Sequence, residues 1–250
     1  MQVSHISEAQ PGDINDDCVV AGEHFVIVLD GATANGLPTG CVHDVPWVVS
    51  RLAARLAARL IADDGAPLTD ILADGIAGLR ELHAETCDLT HPNSPSTTVA
   101  LLRVRAETLD YLVLCDSPVV IETTGGEVHV INDDALANLP GYTPEIIRDM
   151  RNQPGGFWVA STDPEAAKHA LTGSLPVDDV HRAAVMTDGM SRLVDRYDWQ
   201  WRGLLDHVEK RGPVAAVQAV RAAELQTPAG TYRGKRHDDA TIALCTQFGR

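Results

Sequence analysis

Positive charge is scarce in this sequence. Twenty Lys and Arg stand against 35 Asp and Glu, for a net charge of −15, and neither Lys nor Arg occurs between Met1 and Asp30. Such a balance disfavours nucleic acid or an anionic membrane surface as a partner. It suits a solvated acidic surface, or carboxylates gathered around cations. No apolar run approaches the length of a membrane span, and the opening Met-Gln-Val-Ser-His-Ile-Ser-Glu lacks the basic and apolar regions of a signal peptide. The five cysteines (Cys18, Cys41, Cys87, Cys115, Cys245) form no CxxC pair and show no zinc-like spacing. That excludes a disulfide framework and points to a reducing, cytoplasmic interior. With no internal repeat, low-complexity tract or composition break, residues 1–250 read as one domain.

What is present is a series of apolar, β-prone runs. His24–Leu29 runs into Asp30-Gly31, and further strands are expected at residues 97–104, 109–115, 119–123, 128–131, 183–187 and 240–246. The short connections within 97–131 predict an antiparallel meander. Val48, Leu52, Leu56 and Leu60 recur every four residues, which predicts an amphipathic helix over 45–62, capped by Asp44. Arg51, Arg55 and Arg59 form its solvated stripe. A second helix is expected from a Thr69 cap to Cys87, with Gly75 and Gly78 allowing close packing, and two more at 197–210 and 213–226. Residues 132–180, rich in proline and loop, are expected to form a flap or lid. Pairs of helices after the first strands and before the last place helices outside a sheet core.

The chemistry lies at the strand ends. Asp30, Asp116 and Asp188 each follow an apolar run, whereas Asp16-Asp17 and Asp238-Asp239 each precede one. Any one of these could mark a turn. Carboxylates brought together by strand ends repel one another unless cations sit between them. Oxygen ligands select Mg²⁺ or Mn²⁺, and no His/Cys cluster in the sequence offers a zinc alternative. Two such ions can activate water and clamp a phosphoryl oxygen, so phosphate-ester hydrolysis is the chemistry expected. A haloacid-dehalogenase reading of Ile27–Gly31 fails, because Val28 stands where that chemistry needs a nucleophilic aspartate.

Asn15-Asp16-Asp17, Asp30-Gly31, Ser96-Thr97-Thr98, Cys115-Asp116-Ser117, Thr187-Asp188-Gly189 and Asp238-Asp239-Ala240-Thr241, in that order, resemble the motifs of the metal-dependent protein phosphatases of type 2C, in a divergent bacterial form. The resemblance spans residues 15 to 247. It implies an α+β fold, a four-layer αββα sandwich of two antiparallel sheets flanked by helices, with the metal site at one end. It also implies catalytic roles for Asp30, Asp188 and Asp238. Asp30 would bridge two Mn²⁺ or Mg²⁺ ions, with Asp188 and Asp238 on the first. The Gly31 carbonyl, with Asp16 or Asp17 through water, would serve the second, and Asp116 a third. Water held by the metals would attack phosphorus directly, and the substrate would be a phosphoserine or phosphothreonine protein or a small phosphate ester.

The chain also departs from the family pattern. Gly12 stands where a phosphate-gripping arginine is usual, Pro118 replaces a basic residue, and Ala32-Thr33-Ala34-Asn35-Gly36 replaces the usual continuation of the second motif. Arg51, His43, Arg148 and Arg236 are the candidate substitutes for the missing arginine. A catalytically weak relative that binds or regulates a phosphorylated partner is the alternative that these departures leave.

Overall fold

Every residue of Phe25–Leu29 is buried, because both faces of this strand are covered. Val26 and Val28 point one way, into a layer shared with Val119, Ile121, Ala183, Val185 and Ala243. Phe25, Ile27 and Leu29 point the other way, into a layer shared with Leu52, Leu56, Ile76 and Leu79 of two helices. Period-two alternation therefore puts one set against a second sheet and the other against helices. Burial of each such side chain contributes about 1.5–3 kcal/mol.

A computed structural model of the protein describes residues 1–32, 37–62, 65–232 and 234–248. One antiparallel sheet has the order β1 (Gln2–Glu8), β12 (Ala240–Thr246), β11 (Val180–Met186), β8 (Val119–Thr123), β9 (Val128–Ile131). The other runs β10 (Leu171–Pro176), β7 (Thr108–Leu114), β6 (Val99–Arg105), β3 (Phe25–Leu29), β2 (Cys18–Ala21). A short pair, β4 (Gly31–Ala32) and β5 (Ser96–Thr97), extends one end. Helices α1 (Val45–Ala62) and α2 (Leu68–His83) cover the second sheet; α4 (Asp188–Asp195), α5 (Trp201–Arg211) and α6 (Pro213–Gln226) cover the first. The short α3 (Pro144–Met150) belongs to neither layer. The result is the four-layer αββα sandwich. Among the described residues no helix is long and apolar enough to cross a membrane.

The structure changes several local expectations. The meander over 97–131 is broken, since β6–β7 and β8–β9 pair as hairpins but in different sheets. The chain crosses between sheets at Cys115–Pro118, where Cys115 adopts φ 70° and Pro118 has no N–H to continue a ladder. That crossing sets Asp116 at the end of the sandwich. Helix α2 starts after Pro67 rather than from a Thr69 cap and ends at His83, not Cys87. Asp44 does cap α1, its Oδ1 accepting from the Trp47 N–H at 3.0 Å. Gly75 and Gly78 allow α1 and α2 to touch, as an added Cβ would run into Leu56 and the Arg55 guanidinium respectively. Helix α4 and edge strand β10 are elements that the sequence reading does not include. Within the stretch expected as a flap, β10 extends a sheet and the turn at 164–169 packs on α2 through Ala166 and Ala167. Residues 132–160 form a small cluster of their own around Leu139, Phe157 and Val159.

Candidate metal centre

Antiparallel register brings the strand-end aspartates together. Cys18 pairs with Leu29, Val99 with Leu114 and Met186 with Ile242. The residues after β3, β7 and β11 therefore share one end of the sandwich with those before β2 and β12. Asp30, Gly31, Asp116, Asp188 and Asp238 line a cleft of about 860 Å³ there. Asp17 lies beneath them, with Oδ2 accepting from Thr187 Oγ1 at 2.9 Å.

The backbone of this end is pinned by hydroxyls. The Asp30 N–H donates to Thr98 Oγ1 (3.2 Å), and Thr97 Oγ1 donates to the Asp30 carbonyl (2.8 Å). Thr98 Oγ1 and Ser117 Oγ lie 2.6 Å apart, tying β6 to the crossover that carries Asp116. Thr187 precedes α4, which places Asp188 in the first turn, where the helix dipole favours a carboxylate. The Asp188 N–H faces Asp30 Oδ2 at 3.4 Å. Asp239 is spent on structure, its two oxygens accepting from the N–H groups of Gln10 (2.8 Å) and Asp16 (2.7 Å). Gly189 passes so close to β12 that an added Cβ would overlap the Asp239 carbonyl oxygen. Gly189→Ala is expected to cost about 1–3 kcal/mol, read as a lower midpoint in chemical denaturation; an unchanged midpoint would contradict this packing.

Electrostatically the cluster is unbalanced. Burial, then the charges of Asp17, Asp188, Asp238 and Asp116, push the Asp30 carboxyl well above its ordinary range. Asp17 is raised by burial against the lowering effect of Thr241 and Thr187. Asp188 is raised by burial and by Asp238, and Asp116 is pushed up to about 7 by burial and by Asp188. The positive charges of Arg192 and Arg196 lower Asp188 without cancelling its rise, and Asp238 is held by two cationic side chains. Arg192 Nη2 donates to Asp238 Oδ2 at 2.5 Å and Lys235 Nζ lies 3.6 Å from Oδ1. Buried carboxylates without enough positive charge are a donor set that fits hard divalent cations.

None of the four proposed substitutes for the missing arginine lines this cleft. His43 stacks on Trp47 at 3.7 Å and Arg51 lies over the same ring. Arg148 pairs with Asp149, and Arg236 donates to the carbonyls of Glu224 and Leu225 at the end of α6. The basic residues that line the cleft are Arg151, Arg192, Arg196 and Lys235. Arg192 is buried between Asp238 and the fully buried Glu224, which Arg221 and His237 also contact. The spacing Asp188-x₃-Arg192-x₃-Arg196 was a helical signal for two of these residues, unread because α4 was not foreseen. Lys235 and Arg151 had no such signal. Gly12 sits exposed in a turn with no neighbour within 4 Å of an added Cβ, and residues 33–36 of the altered second motif lie outside the described residues.

These features define an α+β protein of the αββα sandwich class with an aspartate-lined cleft at one end. The chain belongs to the protein phosphatase 2C family, whose model matches residues 1–223. Among solved structures it is similar to the serine/threonine phosphatase Stp1 from Staphylococcus aureus, with 14% identity, TM-score 0.68 and coverage of 100% of this chain and 96% of that one. It is also similar to the PPM Ser-Thr phosphatase MsPP from Mycobacterium smegmatis in complex with cacodylate, at 18% identity, TM-score 0.61 and 98% of each chain. A third is the catalytic domain of the serine threonine protein phosphatase PstP in complex with 2 manganese ions, with 16% identity, TM-score 0.60, and coverage of 97% of this chain and 96% of that one. No curated protein sequence matches the chain significantly.

Proposed function

We propose that this protein is a Mn²⁺- or Mg²⁺-dependent phosphatase acting in the cytoplasm on phosphoserine or phosphothreonine in proteins, or on a related phosphate monoester. The observation that carries this reading is the convergence of Asp30, Asp116, Asp188 and Asp238 on one cleft, where burial and neighbouring carboxylates raise Asp30, Asp116 and Asp188 above the ordinary range. The manganese ions of the PstP structure support the choice of metal. Asp30, Asp188 and Asp238 would hold one ion, Asp30 with the Gly31 carbonyl and Asp17 would serve a second, and Asp116 would serve a third, weaker one. When bound, such ions supply an activated water and positive charge for the phosphoryl oxygens.

The remaining work falls to the chain itself. Thr97, Thr98 and Thr187 hold the aspartates in place, so little rearrangement is needed during reaction. Arg151, Arg196 and Lys235 put positive charge on the cleft wall, in place of the arginine absent at Gly12, and orient the phosphate by charge-assisted hydrogen bonds. The chain acts as a single domain. Its flap, within 132–180, brings Asn132, Tyr142 and Ile147 to the cleft and contacts the substrate beyond the phosphate.

Purified protein is expected to hydrolyse p-nitrophenyl phosphate with Mn²⁺, to lose turnover in EDTA, and to regain it when Mn²⁺ is restored. No metal-dependent turnover on this ester or on phosphopeptides would remove the enzymatic reading. Mn²⁺-dependent binding of a phosphopeptide without turnover would favour a regulatory phosphate-binding role instead.

A further inference from the structure

A second cluster of metal-ligating side chains lies away from the acidic cleft, among residues that looked unpatterned in sequence. Cys41 is in the loop leading to α1, His83 is the last residue of α2, and Cys87 follows one turn later. Their donor atoms all lie within 4.8 Å of one another, and among the described residues no other group of three His, Cys, Asp or Glu side chains closes in this way. Cys41 Sγ is 3.5 Å from His83 Nδ1 and 2.7 Å from Cys87 Sγ.

Two separate segments hold these groups in place. The Cys87 N–H donates to the His83 carbonyl at 3.0 Å, continuing the helical turn and setting both side chains on one side of it. The Asp88 N–H donates to the Gly40 carbonyl at 2.7 Å, which docks the Cys41 loop against that turn. The His83 side chain is buried at 2% exposure. Its Nε2 has no hydrogen-bond partner, so its polar contact is the one with the cysteine pair. Both cysteines are half-buried and within reach of an ion from solvent.

We propose that Cys41, His83 and Cys87 bind one Zn²⁺ ion, at a site chemically distinct from the acidic cleft. Two thiolates and an imidazole are soft and borderline donors that favour Zn²⁺ over the Mn²⁺ or Mg²⁺ suited to the carboxylates. With Zn–S near 2.3 Å and Zn–N near 2.0–2.1 Å, tetrahedral ligands lie about 3.6 Å apart for S and N and about 3.8 Å for two sulfurs. The 3.5 Å separation of Cys41 Sγ and His83 Nδ1 already matches. The sulfurs must part by about 1 Å to accept the ion, a shift open to a loop residue. Binding releases the thiol protons to solvent, and the fourth position is left for water or an outside ligand. The ion ties α2 to the segment before α1 that also carries Leu37, a residue lining the acidic cleft.

The test uses the full chain, reduced with a phosphine and stripped of metal, with Co²⁺ as the spectroscopic substitute for Zn²⁺. One equivalent is expected to give thiolate-to-cobalt charge-transfer absorption and the d–d bands of a tetrahedral ion, bleached by one equivalent of Zn²⁺. Cys41→Ser and Cys87→Ser are expected to lose the charge-transfer band while keeping Mn²⁺-dependent turnover, and Asp30→Asn is expected to keep the band. In the wild type, which needs no variant to fold, Zn²⁺ is expected to protect Cys41 and Cys87, but not the half-buried Cys18, from alkylation read by mass spectrometry. Absence of the band in reduced wild type, its survival in Cys87→Ser, or no protection by Zn²⁺ would overturn the proposal. A Cys41–Cys87 disulfide in unreduced protein, combined with no Co²⁺ binding after reduction, would overturn it in favour of a redox pair.

Discussion

Asp30→Asn is expected to lower Mn²⁺-dependent turnover of p-nitrophenyl phosphate by about 10²–10³-fold or more, on the scale of losing a group that organises transition-state charge. Asn keeps the shape of the side chain and leaves the backbone held by Thr97 and Thr98. It removes a carboxylate that faces Asp17, Asp116, Asp188 and Asp238. The effect on folding has the opposite sign. Because burial and these neighbours raise the Asp30 carboxyl well above its ordinary range, its ionised form opposes folding near neutral pH when no cation is present. The metal-free variant is therefore expected to be as stable as wild type, or more stable. Reduced activity in a protein of undiminished stability separates loss of a ligand from loss of the fold. Retention of more than a tenth of the activity, or a marked fall in metal-free stability, would count against Asp30 as the shared ligand.

Removing divalent metal is expected to make stability strongly pH-dependent. Asp116 titrates near 7 in the folded protein and near 3.9 when unfolded, as for an ordinary aspartate. Between those values the native state keeps a proton that the unfolded chain has released. The Asp116 contribution to metal-free stability should therefore fall as pH rises from about 4 to about 7 and level off above. Asp17, Asp30 and Asp188 are shifted in the same direction and add to the fall. In the proposed role Mn²⁺ would bind the ionised carboxylates, so its stabilisation should be greatest above pH 7 and fade in acid. An ion at 100 times its Kd adds about 2.7 kcal/mol, which is a rise of roughly 5–10 °C in Tm for a chain of this length. Thermal unfolding in EDTA and in Mn²⁺ at matched ionic strength, at pH 5, 7 and 8, tests this. Equal Tm values with and without Mn²⁺ at pH 8 would argue that the aspartates do not hold cations.

The strands and long helices were legible because each carries a local record of what it buries. Val48, Leu52, Leu56 and Leu60 mark one face of α1, and the unbroken apolar run of β3 marks a strand covered on both sides. Asp30, Asp116, Asp188 and Asp238 were legible as strand-end residues for the same reason. Elements held mainly by position escaped. Strand β10 is an exposed edge of mixed composition, Leu-Thr-Gly-Ser-Leu-Pro, and α4 is only 8 residues long, starting directly from a strand end. The crossover after β7 depends on the backbone conformation of Cys115 and on Pro118, neither of which reads as a change of sheet.

The sequence by itself determined the main strand and helix runs and the aspartates that end its strands, which arise from local periodicity and from residues adjacent in the chain. Its short motifs in a set order carried the family resemblance that implied the αββα class. Only the tertiary structure decided which basic side chains face the cleft, that Asp239 is consumed by the N–H groups of Gln10 and Asp16 while Asp238 lines the cleft, and that Cys41 meets His83 and Cys87. The physical reason is range. A contact between residues 42 or 46 positions apart depends on how loops and helices dock, and no local pattern of burial records that.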